Sequence, residues 1–162
     1  SEVTSRYLSA QIEAGAQVIQ LFDSWVGCLE PRDYQRYVLP YSKSIFDRLK
    51  AFSVPSIHFG TGTATFLELM KQAGATVMGV DWKTSLGEAS RCLGGDVPIQ
   101  GNLDPLALLA PMDCLEEKVE KVLEDGQGCS SHIFNLGHGI LPQTPIENVE
   151  AVVEWVHDKS KR

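Results

Sequence analysis

Five short apolar segments recur along the chain with helix-patterned stretches between them. They are QVIQLF ending near Phe22, SIHF ending at Phe59, TVMGV ending at Val80, VPIQG ending at Gly101 and HIFNL ending at Leu136. Strand-length runs rich in β-branched residues, alternating with longer helical stretches, are satisfied by a parallel sheet whose crossovers are helices. The expected class is therefore α/β, with about five parallel βα units. The ends of the runs are polar: Asp23 and Ser24, then His58, then Asp81, then Gln100 with Asn102, then Asn135 with His138. In parallel α/β folds ligands bind at the carboxyl ends of the strands, which makes these residues the candidate site.

Helix starts are marked between the strands. Glu30-Pro31 places proline in a first helical turn, Ser85 precedes LGEASRCL, and Asp104-Pro105 reads as a cap followed by proline. Asp113 with Glu116, and Thr144 with Glu147, have capping-box spacing. In LEEKVEKVLEDG, Leu115, Val119, Val122 and Leu123 fall on one helical face, and Gly126 is the expected stop. The opening SEVTSRYLSAQIEAGAQ reads as a helix before the first strand, and the chain as part of a longer protein.

Composition narrows the function classes. At 162 residues and 43% hydrophobic content the chain can bury a single core, and one domain is expected. No apolar run approaches the ~20 residues of a membrane span, and no signal sequence is read at the front, so a cytoplasmic location is expected. A net charge of -7 argues against nucleic acid, since Lys and Arg cluster only in the trailing KSKR. Cys28, Cys92, Cys114 and Cys129 lack the C-x-x-C spacing of metal and redox motifs and read as reduced thiols.

Each candidate has a structural reading beside its functional one. Gly60 and Gly62 follow a strand, and Asp81 ends the next, which outlines a dinucleotide fold; Thr65 stands at the third glycine position, and an earlier strand precedes the motif. His58 is a ligand, an acid–base group or a hydrogen-bonded structural residue. Asp81 either faces the site, lining the cleft, or caps a loop, the latter being the favoured reading, and Asp104 is read as a helix cap. Gln100 and Asn102 either line a cavity or tie a loop. Ser24 lacks a G-x-S-x-G elbow and is assigned hydrogen bonding. His138 has the strongest case. The glycines flanking it permit close approach, and an imidazole can donate to a carboxylate or move a proton near neutral pH.

LFDSWVGCLEPRDYQRYVLPY, VPSIHFGTGTATFLELMKQAGATVMGVDW, IQGNLDP and IFNLGHGILPQTPIENVEAVVEWVH together resemble the carboxy-terminal part of the uroporphyrinogen decarboxylase family. The resemblance implies a distorted (β/α)8 barrel of the TIM type, with residues 1–162 as the carboxy-terminal part of that single domain and the amino-terminal strands absent. It implies a homodimer, no metal and no organic cofactor; separately, the unpaired strand ends of an incomplete barrel lead to an expectation of self-association. The implied activity is a lyase of haem and porphyrin biosynthesis that removes carboxyl groups from the acetate side chains of uroporphyrinogen to give coproporphyrinogen. Ser24 and His138 match positions that contact substrate, and His138 is the catalytic candidate. The family's amino-terminal arginines, macrocycle-centre aspartate and cleft tyrosine have no counterpart here, so the chain alone is expected to be inactive.

Two alternatives stand beside this. Cobalamin-related methyltransferases of the same superfamily bind zinc through H-x-C and a later cysteine, chemistry that needs thiolates. Here those positions read His58-Phe59-Gly60 and His138, so zinc is not expected. The other alternative is a half-barrel acting only as an interaction module.

Overall fold

The computed structural model describes residues 1–160; Lys161 and Arg162, the end of the KSKR tail, lie outside the described residues. The chain divides into two compact units, Ser1–Gly79 and Val80–Arg162.

The first unit runs α1 (Glu2–Glu13), β1 (Ile19–Asp23), α2 (Pro31–Tyr37), α3 (Leu39–Leu49), β2 (Ser56–Gly60), α4 (Leu67–Lys71) and β3 (Val77–Gly79). β1 pairs in parallel with β2, and β2 with β3; Leu21 stands beside His58 and Asp23 beside Gly60. Every residue of β2 is buried, as expected for a strand covered on both faces. Leu8 of α1, Ile19 of β1 and Ile45 and Leu49 of α3 form one buried cluster. The apolar spacing of α3, with Ser42, Ile45, Phe46 and Leu49 buried, turns that helix onto the strands.

The second unit runs α5 (Leu86–Cys92), β4 (Ile99–Leu103), α6 (Met112–Gln127), β5 (His132–Leu136) and α7 (Ile146–Lys159). β4 and β5 are parallel, with Asn102 beside Asn135 and Leu103 beside Leu136. The Val80 amide donates to the Gln100 carbonyl at 2.9 Å. Leu103, Leu108, Leu115, Val119 and Val152 make the core of this unit, with Val122 and Leu123 packed against it. A fully buried leucine contributes about 2 kcal/mol, so the expected face of α6 holds the helix down.

The α/β class and the five parallel strands agree with the sequence reading. The starts at Pro31 and Ser85 are realised, Ser85 Oγ accepting from the Glu88 amide at 3.2 Å. Asp104 Oδ1 accepts from the Leu106 amide at 2.9 Å, capping a short 3-10 helix over Pro105–Leu109.

Neither expected capping box forms. α6 begins with Pro111 at its N-cap, leaving Asp113 inside the first turn, where its Oδ1 accepts from the Cys114 amide; α7 begins with Pro145 at its N-cap. Gly126 does not stop α6. It lies within the helix, where a Cβ would collide with the His132 imidazole, and Gly128 is the C-cap.

Candidate active site

In the first unit, the carboxylate of Asp23 at the end of β1 gathers side chains from β2 and α3. His58 Nε2 lies 2.7 Å from Asp23 Oδ2, and Ser42 Oγ donates to the same oxygen at 3.1 Å. The register explains the first contact. His58 stands beside Leu21, and Asp23, two residues further along β1, falls on the same strand face. His58 lies inside β2 rather than at its end and its side chain is 0% exposed, whereas that of Asp23 is 23% exposed. Phe46 of α3 packs on the imidazole, ring centroids 5.1 Å apart. His58 is thus a buried group bound to a strand-end carboxylate, and its Nδ1 has no hydrogen-bond partner.

Tyr34 of α2 completes this neighbourhood. It is fully buried, stacks on Phe66 with centroids 4.7 Å apart, and its hydroxyl has no partner. Burial, and then the negative charge of Asp23, hold its phenol well above the ordinary tyrosine value.

Ser24 follows Asp23 directly. Its carbonyl accepts a short hydrogen bond from Thr61 Oγ1, and Gly27 packs against the Thr61 backbone so closely that a Cβ would overlap the Thr61 carbonyl oxygen. The β1 and β2 loops are therefore tied together, and the half-buried Ser24 hydroxyl makes no hydrogen bond to the described residues. Trp25, beside it, is 89% exposed.

In the second unit, buried Asp81 accepts from the Lys83 amide at 3.1 Å through Oδ1. This is the loop-capping role read for it. Asn102 Nδ2 donates to the Asp81 carbonyl at 2.9 Å and the Thr84 carbonyl at 2.5 Å. Asn102 thus ties this loop, and it borders a cleft of about 270 Å³ together with Trp82, Thr84, Ser85, Asp104, Lys118 and Lys121. Gln100, expected at a strand end, is instead the second residue of β4 and is buried there, because the strand continues past Gly101 to Leu103. Gly101, between them, has φ of +145°, and a Cβ there would lie 2.6 Å from the Val80 carbonyl oxygen.

His138 is exposed, beyond the end of β5, and its imidazole stacks on Trp82 with centroids 6.2 Å apart and planes 11° apart. Gly137 makes this possible. Its amide donates to the Leu103 carbonyl at 2.7 Å, and its Cα face lies against the Trp82 backbone, where a Cβ would overlap the Trp82 amide nitrogen. Lys83 Nζ lies 5.4 Å from the same Trp82 ring centroid. Asn135, expected with His138, is exposed, and its Oδ1 accepts from the Leu136 amide at 2.8 Å.

Ser42, Tyr34, Thr61 and Lys83 were not singled out in the sequence. Ser42 and Tyr34 sit at helix positions whose spacing reads as ordinary core, and nothing local marks their partners. Among the described residues no three of His, Cys, Asp and Glu gather in an arrangement that could hold a metal ion, and no helix is long and apolar enough to cross a membrane.

Residues 1–159 match the uroporphyrinogen decarboxylase family. The chain belongs to that family. Among curated relatives, the uroporphyrinogen decarboxylase of Carboxydothermus hydrogenoformans is 52% identical over 160 residues, covering 99% of this chain and 46% of the relative. That of Thermus thermophilus is 52% identical over 158 residues, 98% of this chain and 46% of the relative. That of Streptomyces griseus is 49% identical over 162 residues, 100% of this chain and 44% of the relative. The chain therefore spans under half the length of these uroporphyrinogen decarboxylases. A solved methyltransferase from Methanosarcina mazei superposes with a TM-score of 0.83 at 23% identity, over 99% of this chain and 47% of the other. That likeness shows the fold, a part of a barrel of parallel βα units, and nothing of the chemistry.

Proposed function

We propose that the chain is the carboxy-terminal part of a cytoplasmic uroporphyrinogen decarboxylase, one (β/α)8 domain whose remaining strands are supplied by sequence outside these 162 residues. The observation that carries this reading is the family match over residues 1–159. The homodimer implied by the family belongs to the same proposal.

The chemistry asks little beyond side chains. Protonating a pyrrole carbon makes the ring an electron sink. The bond between the acetate methylene and its carboxyl carbon then breaks, carbon dioxide leaves, and its electron pair enters the ring. A proton returns to the methylene carbon and the ring proton is lost. The protein orients the macrocycle, moves protons and stabilises charge, so no cofactor is required.

His138 is the residue we assign to a carboxylate or proton contact, supported by its exposed position and by the Trp82 ring that braces it. The unengaged hydroxyl of Ser24 is assigned a hydrogen bond to substrate. His58 in the first unit, and Asp81, Gln100 and Asn102 in the second, are each assigned a supporting rather than a reacting role, in keeping with their burial.

The test is His138→Ala in the complete polypeptide carrying this sequence. Decarboxylation of uroporphyrinogen should fall, or partly decarboxylated products should accumulate. The 162-residue chain alone should show essentially no turnover, because positioning supplies ~7–11 kcal/mol of such a barrier and the family's macrocycle-holding groups are absent. Unchanged turnover and product distribution in His138→Ala would remove the assignment.

A further inference from the structure

We infer that Lys83 is a substrate-carboxylate contact that sets affinity for the polyanionic macrocycle, an inference that rests on the decarboxylase reading and adds a residue to its site. Lys83 is exposed, and no carboxylate among the described residues is within ion-pair distance of it. Lys43, Lys50 and Lys159, by contrast, are each engaged with Asp or Glu side chains. In a chain of net charge -7, Lys83 is a cation in the loop beside His138, and Lys118 and Lys121 add positive charge to the cleft that Trp82 and Asn102 line.

Its placement is built rather than incidental. The Lys83 amide is held by the buried Asp81 carboxylate, whose own carbonyl is held by Asn102, so the loop carrying the lysine is anchored from two sides. The ammonium rests 5.4 Å from the centroid of Trp82, and the imidazole of His138 stacks on that same indole. An aromatic face holds a cation by its quadrupole without cancelling the charge. A carboxylate partner would cancel it. The indole therefore keeps the ammonium ordered and still able to receive an anion, close to the imidazole assigned to substrate. A substrate carrying several carboxylates is the ligand class that such a pair fits.

The experiment uses Lys83→Ala, Lys83→Arg and Lys83→Glu in the complete polypeptide carrying this sequence, assayed with uroporphyrinogen at low and high salt. Lys83→Ala should raise KM about five-fold at low ionic strength, the scale of a part-exposed ion pair, with kcat within about two-fold. Lys83→Glu should raise it further, and Lys83→Arg should stay close to the parent. The gap between parent and Lys83→Ala should close as salt screens the contact.

A parent-like KM and salt dependence in Lys83→Glu would overturn the inference. So would a fall in thermal midpoint with KM unchanged, which assigns Lys83 to the fold. Failure of the parent to turn over uroporphyrinogen defeats the decarboxylase reading instead. Lys83 is then judged by tryptophan-fluorescence titration with uroporphyrin, where parent-like binding by Lys83→Glu overturns the assignment and weakened binding upholds it.

Discussion

Tyr34 is fully buried, yet its hydroxyl finds no partner, and burial together with Asp23 raises its phenol. A buried, unsatisfied hydroxyl costs stability. Tyr34→Phe should therefore leave stability at neutral pH unchanged or raised by up to ~1 kcal/mol in urea unfolding. The pH dependence has a definite sign. The folded phenol stays protonated where the unfolded one ionises, so stability is fully present below pH ~10 and falls as pH rises above it. Tyr34→Phe should flatten that alkaline loss, and a loss of stability in the variant at neutral pH would contradict the orphaned hydroxyl. The two glycines around His138 are a second contrast. Gly137→Ala drives a Cβ into the Trp82 backbone and should destabilise by ~1–3 kcal/mol, whereas a Cβ at Gly139 meets nothing within 4 Å and should change stability by no more than ~0.5 kcal/mol. The sequence suggested that both glycines admit a ligand; in the structure the need at Gly137 is set by the protein's own loop.

At the scale of elements, the five strands lie where β-branched runs put them, within a few residues; in β2, β3 and β4 every residue is buried, and burial on both faces demands continuous apolar sequence. Helix starts were less legible. Ser85 caps α5 as its spacing suggests, but the Asp113 and Thr144 patterns were pre-empted by Pro111 and Pro145, which take the N-cap positions of α6 and α7. Ser85→Ala should accordingly cost about 1 kcal/mol in thermal or urea melts. Thr144→Ala should cost less, since its buried Oγ1 has no partner to lose.

For the molecule as a whole, β5 is only partly covered, with Ile133 exposed, and Phe134 and Leu136 line an apolar cleft of about 260 Å³ with Val149, Val153 and Val156 of α7. A parallel strand in this condition is an invitation to pair with another chain. The protein should thus self-associate in light scattering at high concentration, and Ile133→Lys should weaken the association. A concentration-independent monomer would contradict this.

By itself the sequence determined the α/β class, the strand positions, the family and the choice of Asp23, Ser24, Asp81, Asn102 and His138 as strand-end polar groups, because periodicity and turn chemistry are local properties of the chain. It left His58 open among ligand, acid–base group and structural residue, and could not pair it with Asp23, 35 residues away. Nor could it show that Trp82 braces His138, that Ser42 shares the Asp23 carboxylate, or that the Lys83 ammonium rests over an indole instead of on a carboxylate. Those choices are made by strand register and helix packing, which bring together side chains far apart in the chain, and residue spacing carries no record of such distances.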